Sequence, residues 1–312
     1  MTAPKFPKKQ HYIPQFYLKN FSKDGKNIYI YDKAKGEKGE IRYQTTIDVA
    51  HENHFYTYQT KKGTKKNLED LLGQFEGDAA AIIEKVHRER SITPEEREKL
   101  ALFVGFLYSR TPAFKAKTQE MTTKAGEKIP PMMFRMTPKE WMRKFFKEKE
   151  GKDFTDEELD DLIDFSVNPK RSRIGFKFPQ GWWIRTMLDM GLEAAKVFYG
   201  MDWLFLFTDQ PFAFITNDNP FFLVPPEDYD RFWGYGLVTP KTRKVIPLRS
   251  NMCLMMGDIA ENPKDVFVDT KKEFFRAANQ RLAYGCERFC FSPDQGKMEK
   301  LVKDVKPYLV KK

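Results

Sequence analysis

The stretch WLFLFTDQPFAFITNDNPFFLV, residues 203–224, decides the predicted fold. It contains two short apolar runs, residues 203–207 and 212–215, which are joined by the turn-forming TDQP at 208–211. Short apolar runs bounded by turn residues are typical of strands that are buried on both faces. We therefore predict a central β-hairpin at this point of the chain.

Polar residues follow the second run directly. They supply a hydroxyl, two amides and a carboxylate, from Thr216, Asn217, Asp218 and Asn219. Such groups at the end of a buried strand suit a catalytic or binding site, and the same residue types also form turns for local reasons. Asp218 is the first candidate for a catalytic and metal-binding carboxylate, and Asn219 is a candidate for binding substrate.

Strand-like patterns lie near both ends of the chain, and helical patterns lie mostly between them. The predicted strands are residues 27–32, 41–43, 244–248, 252–257 and 288–292. The predicted helices cover about residues 67–90, 93–110, 182–199 and 270–284. Strands that cluster early and late, with helices between them, are typical of an α+β fold. We predict a mixed or antiparallel central sheet, packed by helices from the middle of the chain.

The 312 residues are interpreted as a single α+β domain, residues 1–312. Between residues 115 and 180 the composition shifts to Lys, Glu, Met and Pro. This segment predicts a charged helical insertion or subdomain within the domain, with no chemistry of its own.

The positive charge is concentrated at the two ends of the chain. The net charge is +10; residues 1–70 carry 14 basic against 8 acidic side chains, and residues 271–312 carry 11 against 5. If the ends meet, they form a basic surface suited to phosphates, with Lys61 and Lys65 as candidates for binding substrate. A solvated surface without a ligand explains the same charge equally well.

Localisation is predicted from what the chain lacks. The first ten residues, MTAPKFPKKQ, contain no apolar segment, and the longest apolar run, residues 100–108, is too short to cross a bilayer. Three cysteines without a CxxC pair indicate a reduced protein. We expect a cytoplasmic protein with no membrane partner.

Known catalytic motifs are absent, so the candidate site consists of scattered polar residues. His11 lies among the aromatic and apolar residues of HYIPQFYL at 11–18, where burial can tune its proton affinity. It is a candidate acid or base, and a histidine hydrogen-bonded within an aromatic cluster is the alternative. Gln15, four residues later, is a candidate for binding substrate beside it.

Two acids and one arginine complete the candidates. Glu69 and Glu76 are seven residues apart on one predicted helix face, where they either bind a divalent cation or form surface ion pairs. Glu76 is also a candidate acid or base. Arg110 ends the most apolar helix and must reach a carboxylate, a phosphate or carbonyl groups, because it cannot be buried unpaired. Its role is either a structural clamp or anion binding.

The chain resembles the domain-of-unknown-function 4238 family, whose members are uncharacterised and mostly bacterial. The resemblance rests on residues 11–18 with Phe21, on Glu69 and Glu76, on Arg110-Thr111-Pro112, and on FITNDNP at 214–220. Asn217 stands where the family has Ser. The resemblance implies no reaction, and a role as a defence or toxin effector follows by analogy only.

The leading hypothesis is a nuclease-like phosphodiester hydrolase that acts on nucleic acid. Asp218, Glu69 and Glu76 would hold Mg²⁺ or Mn²⁺, His11 would act as acid or base, and Arg110 would bind the phosphate. The alternative is a non-catalytic module that binds nucleic acid or a protein. We predict that the side chains of His11 and Asp218 lie in the same pocket and that at least one of Glu69 and Glu76 lines it.

Overall fold

The structure is a computed structural model. It describes residues 7–35, 39–59, 65–168, 177–209, 213–229 and 234–309. The chain divides into two compact units, one formed by Met1–Lys115 with Gln180–Lys312 and the other by Ala116–Pro179.

The first third of the chain forms short strands and two long helices. The elements are β1 (Lys9–His11), α1 (Gln15–Lys19), β2 (Asn27–Asp32), β3 (Glu40–Thr45), a 3₁₀ turn (Thr46–Asp48), β4 (His51–Asn53), β5 (Thr57–Gln59), β6 (Lys65–Asn67), α2 (Glu69–Glu89) and α3 (Pro94–Ser109). The predicted strands β2 and β3, which pair with each other, and the predicted helices α2 and α3 are confirmed.

The rest of the larger unit supplies the remaining strands. The elements are α7 (Gln180–Tyr199), β7 (Met201–Phe207), β8 (Thr216–Asn217), β9 (Phe222–Val224), β10 (Arg243–Arg249), β11 (Met252–Ile259), β12 (Asp265–Asp269), α8 (Lys272–Gly285), β13 (Phe289–Ser292) and α9 (Gln295–Leu309). Between α3 and α7 the chain forms α4 (Pro112–Met136), α5 (Lys139–Glu150) and α6 (Asp156–Val167).

Two sheets contain most of the strands. One has five strands in the order β12-β7-β11-β10-β9, in which β12 is parallel to β7 and the other pairs are antiparallel. The other has four antiparallel strands in the order β3-β2-β13-β8. Because β13 pairs with β2, the two basic ends of the chain contribute to the same sheet. The predicted α+β fold with mixed and antiparallel sheets is confirmed.

The predicted central hairpin is wrong. Its first run, β7, lies inside the five-stranded sheet, whereas the segment after the second run forms β8 at the edge of the four-stranded sheet. The backbone N–H groups of Thr208 and Phe214 donate to Asn251 and Ser250, so both runs are held against the turn between β10 and β11. Residues 210–212, which include part of the predicted turn, lie outside the described residues.

Helices α3 and α7 pack closely at two glycines. A Cβ on Gly105 would lie 2.4 Å from the carbonyl oxygen of Gly191, and a Cβ on Gly191 would meet Phe106 and Ser109. Only glycine permits this approach. Helix α3 begins with a capping box, in which the side chains of Thr93 and Glu96 each accept from the other's backbone N–H. This packing fixes the end of α3, from which Arg110 projects.

Candidate active site

A cavity of about 340 Å³ lies between the N-terminal segment and α2. Its volume is within the range of small-molecule sites, roughly 300–1,000 Å³. Four of the predicted site residues line it. The lining residues are His11, Gln15, Phe16, Tyr56, Glu69, Leu72, Gly73, Glu76, Gly77 and Ala80.

His11 ends β1 and is held in one orientation. Its Nε2 lies 3.0 Å from the carbonyl oxygen of Ile47, and a carbonyl only accepts, so Nε2 carries the hydrogen. In the neutral ring Nδ1 then keeps its lone pair, and Gln15 Nε2 lies 3.5 Å from it. Burial lowers the pKa of His11, while the Ile47 carbonyl opposes the shift. His11 is therefore a neutral imidazole whose Nδ1 can accept a proton.

Helix α2 provides the opposite wall. Its residues Glu69, Gly73, Glu76, Gly77 and Ala80 recur at helical spacing and face the cavity. A Cβ on Gly73 or Gly77 would meet nothing within 4 Å. Two carboxylates and two glycines thus share one helix face, as the spacing of Glu69 and Glu76 predicts.

Arg110 is buried behind this wall and uses few of its donors. Its Nη1 donates to Glu76 Oε1 at 2.7 Å, and the residue is 1% exposed. Nε and Nη2 are buried and have no hydrogen-bond partner among the described residues. Such donors are rarely left unsatisfied, because an unpaired buried polar group is costly. The side chain therefore has spare capacity to bind an anion.

Tyr56 connects His11 to Arg110. Its hydroxyl donates to the His11 carbonyl oxygen at 3.1 Å. Burial raises the pKa of Tyr56 well above its ordinary value, and the charge of Arg110 opposes this shift. Tyr56 therefore stays protonated at neutral pH and can only contribute a neutral hydroxyl to the cavity.

Asp218 is not among the residues that line this cavity. Its Oδ1 accepts from the backbone N–H of Glu287, and its Oδ2 accepts from those of Arg288 and Phe289, at 2.7–2.9 Å. Burial raises the pKa of Asp218 to about 6, and these three hydrogen bonds oppose the shift. The carboxylate satisfies the backbone where β8 meets β13. The prediction that His11 and Asp218 line one pocket is therefore wrong. The carboxylate oxygens of Asp218 bond backbone N–H groups outside the cavity lining.

Asn219, a candidate for binding substrate, also lies outside the cavity lining. The backbone N–H of Asn219 donates to the side-chain oxygen of Asn217 in β8, and Asn217 Nδ2 donates to the Leu282 carbonyl, so these hydrogen bonds hold the end of β8. Lys61 lies outside the described residues, and of Lys65 only the backbone strand β6 is described.

The family model described as "Protein of unknown function (DUF4238)" matches residues 9–296. The chain belongs to this family. No curated protein matches the chain, and no solved structure does. Within the described residues of this DUF4238 chain, no helix is long and apolar enough to cross a membrane.

The predicted metal set is not assembled in the described part of this DUF4238 chain. No three His, Cys, Asp or Glu side chains stand together there as metal ligands. Glu69 and Glu76 share the cavity, whereas Asp218 bonds backbone elsewhere. Two carboxylates are still enough for Mg²⁺ when substrate phosphate and water complete its shell.

Sequence reasoning missed Tyr56 and the Ile47 carbonyl. Ile47 lies in the 3₁₀ turn, 36 residues from His11. Its hydrogen bond is made by the backbone carbonyl, so its side chain gives no signal for this contact in the sequence. Tyr56 offered a weak signal, because it belongs to the aromatic-rich HFYTY at 54–58.

Proposed function

We propose that this chain is a phosphodiester hydrolase that acts on nucleic acid at the His11 cavity. One observation carries the proposal: a neutral histidine, whose Nδ1 has only a 3.5 Å hydrogen bond from Gln15, lines the same cavity as Glu76, and Glu76 is paired to the buried Arg110, two of whose nitrogens have no partner among the described residues. A general base in the cavity and a cationic donor behind its wall are two groups that can promote phosphoryl transfer.

His11 is the general base in this proposal. Its Nδ1 removes the proton from an attacking water or ribose hydroxyl as the new P–O bond forms. The bond from phosphorus to the leaving oxygen breaks, and that oxygen takes a proton from solvent. The lowered pKa of His11 suits this role, because the ring is unprotonated at neutral pH.

Arg110 binds the phosphate after Glu76 moves aside. The Glu76 side chain is 25% exposed, so its carboxylate can turn towards solvent, whereas Arg110 is fixed at the end of α3. A phosphate then replaces the carboxylate and uses the guanidinium N–H groups in its place. Glu69 and Glu76 offer an alternative arrangement in which they seat a Mg²⁺ ion that also contacts the phosphate.

The test uses fluorescent single-stranded RNA and DNA, each with Mg²⁺ or with a chelator. We expect cleavage by the wild-type chain and a loss of about 10²- to 10⁴-fold in His11→Gln. The matched control is His54→Asn, because His54 is exposed and asparagine tolerates its positive φ of 55°. Equal loss in both variants, or no cleavage under either condition, contradicts the proposal.

The alternative is a non-catalytic module that binds nucleic acid or a protein. It is favoured if the wild-type chain retains the oligonucleotides at low salt without cleaving them. Binding through the basic ends would then weaken by roughly 0.7 to 0.9 log units per log unit of salt for each phosphate neutralised.

A further inference from the structure

Helix α4 presents a row of exposed apolar side chains. Met121, Ile129, Met132 and Met136 are separated by eight, three and four residues, which places them on one helix face. Their exposures are 63%, 49%, 55% and 75%. We call these four residues the apolar row. Exposed apolar side chains grouped on one face mark interaction sites in soluble proteins.

Basic side chains lie immediately beside the apolar row. Lys117, Lys124, Lys128 and Arg135 are all exposed and are separated by seven, four and seven residues, so they share a neighbouring helix face. Each is three or four residues from a member of the apolar row, the spacing at which helix side chains are neighbours. One of them, Lys124, also pairs with Glu120.

Helix α5 repeats the combination in the same unit. Trp141 and Phe145 stack with ring centroids 5.2 Å apart, and both are at least 40% exposed. Lys144, next to Phe145, is also exposed. Tryptophan is enriched at the boundary between water and lipid, where its ring enters the apolar region and its N–H stays hydrated.

We propose that α4 attaches the protein to an anionic lipid surface. The apolar row enters the boundary between headgroups and acyl chains, and the basic residues beside it extend to the lipid phosphates. This attachment is at the membrane surface and needs no helix that spans the bilayer. The short apolar runs of the sequence argue only against a spanning helix. Methionine and isoleucine favour lipid over nucleic acid, because they lack the rings on which bases stack.

The test measures how the full chain sediments with lipid vesicles at low and physiological salt. One vesicle is phosphatidylcholine, and the other contains phosphatidylserine as well. We expect binding to the mixed vesicles only, weakened by salt. Met132→Ser with Met136→Ser removes apolar area, and Lys128→Glu with Arg135→Glu reverses charge. Each double variant should reduce binding by about tenfold or more.

The matched control is Val238→Ser, which makes the same apolar-to-polar change at a residue that is 65% exposed in the other unit. It should leave binding unchanged, and circular dichroism should show all variants folded.

Absence of binding to mixed vesicles at low salt overturns the proposal. The proposal is also overturned if the chain is a dimer in the absence of vesicles and if Met132→Ser with Met136→Ser dissociates that dimer. In that case a second copy of the chain covers the apolar row. Oligonucleotide retention that is lost on charge reversal, with vesicle binding unaffected by either variant, assigns the basic residues to nucleic acid instead.

Discussion

The His11 cavity and the turn at Asp218 are both polar clusters in apolar surroundings, and they differ in how completely they are bonded. At the turn, three backbone N–H groups bond the two oxygens of Asp218. At the cavity, the Nδ1 lone pair of His11 has only a long hydrogen bond from Gln15, and two buried nitrogens of Arg110 have no partner among the described residues. A saturated cluster serves the fold, whereas an unsaturated one beside open volume can take a ligand.

The largest stability effect is expected at Arg110, the buried charge behind the cavity. Arg110→Met leaves Glu76 without its partner and should lower the free energy of unfolding by about 3–5 kcal/mol. The control Arg88→Met breaks the exposed pair with Glu89 and should cost about 1 kcal/mol or less. Urea unfolding measures both. A cost below 1 kcal/mol at Arg110 would mean that the cavity wall does not depend on this ion pair.

Asp218→Asn should have the next largest effect. The amide nitrogen cannot accept, so at least one of the three backbone N–H groups loses its acceptor, at a cost of about 2–4 kcal/mol. Asp209→Asn makes the same change at an exposed residue and should stay within about 0.5 kcal/mol of wild type. If the two variants unfold alike, Asp218 does not hold the turn.

Glu76→Gln separates the ligand role of Arg110 from its structural role. The neutral amide competes less strongly for the guanidinium, so inorganic phosphate should bind several-fold more tightly, while the buried Arg110 loses its counter-charge and the free energy of unfolding should fall by about 1–3 kcal/mol. Calorimetric titration measures the phosphate affinity. Glu84→Gln, which releases Arg249 away from the cavity, is the control and should leave the affinity unchanged.

The pH dependence should follow the lowered pKa of His11. Its folded-state pKa lies below the ordinary value of 6.5, so the folded chain binds fewer protons than the unfolded chain there. This stabilisation is present above pH 6.5 and is lost as the pH falls through the folded-state pKa. Between pH 7 and 5, the wild-type chain should therefore lose more stability than His11→Gln, and cleavage should fall along an acid limb centred below 6.5. An acid limb centred above 6.5 would assign the base to another group.

Local patterns were readable from the sequence, and long-range pairings were not. The helix predicted over about residues 93–110 is confirmed as α3, and its capping box, Thr93 with Glu96, lies within four residues. The hydrogen-bond partners of Asp218 lie about 70 residues away in the sequence, so local spacing does not reveal them. Its polar sequence neighbours are of the types found in catalytic turns, which is why Asp218 was interpreted as a site residue. The apolar run of β7 indicates burial, but apolarity does not specify which strand pairs with it. That is why the hairpin prediction failed.

The same limit explains which half of the site was predictable. Glu69 and Glu76 share one helix, so their spacing alone places them on one face. His11 and Gln15 are four residues apart and remain neighbours in the folded chain. Bringing Arg110 behind Glu76 depends on how α2 packs against α3, which no spacing within either helix determines.

The most direct test measures turnover per folded molecule and the free energy of unfolding in two variants, His11→Gln and Asp218→Asn. The account predicts opposite outcomes. His11→Gln should lose nearly all turnover with a stability change below about 1 kcal/mol, and Asp218→Asn should lose stability while its folded fraction cleaves at the wild-type rate. Abolished turnover in a fully stable Asp218→Asn, with His11→Gln still active, would contradict the assignment of the active site to the His11 cavity.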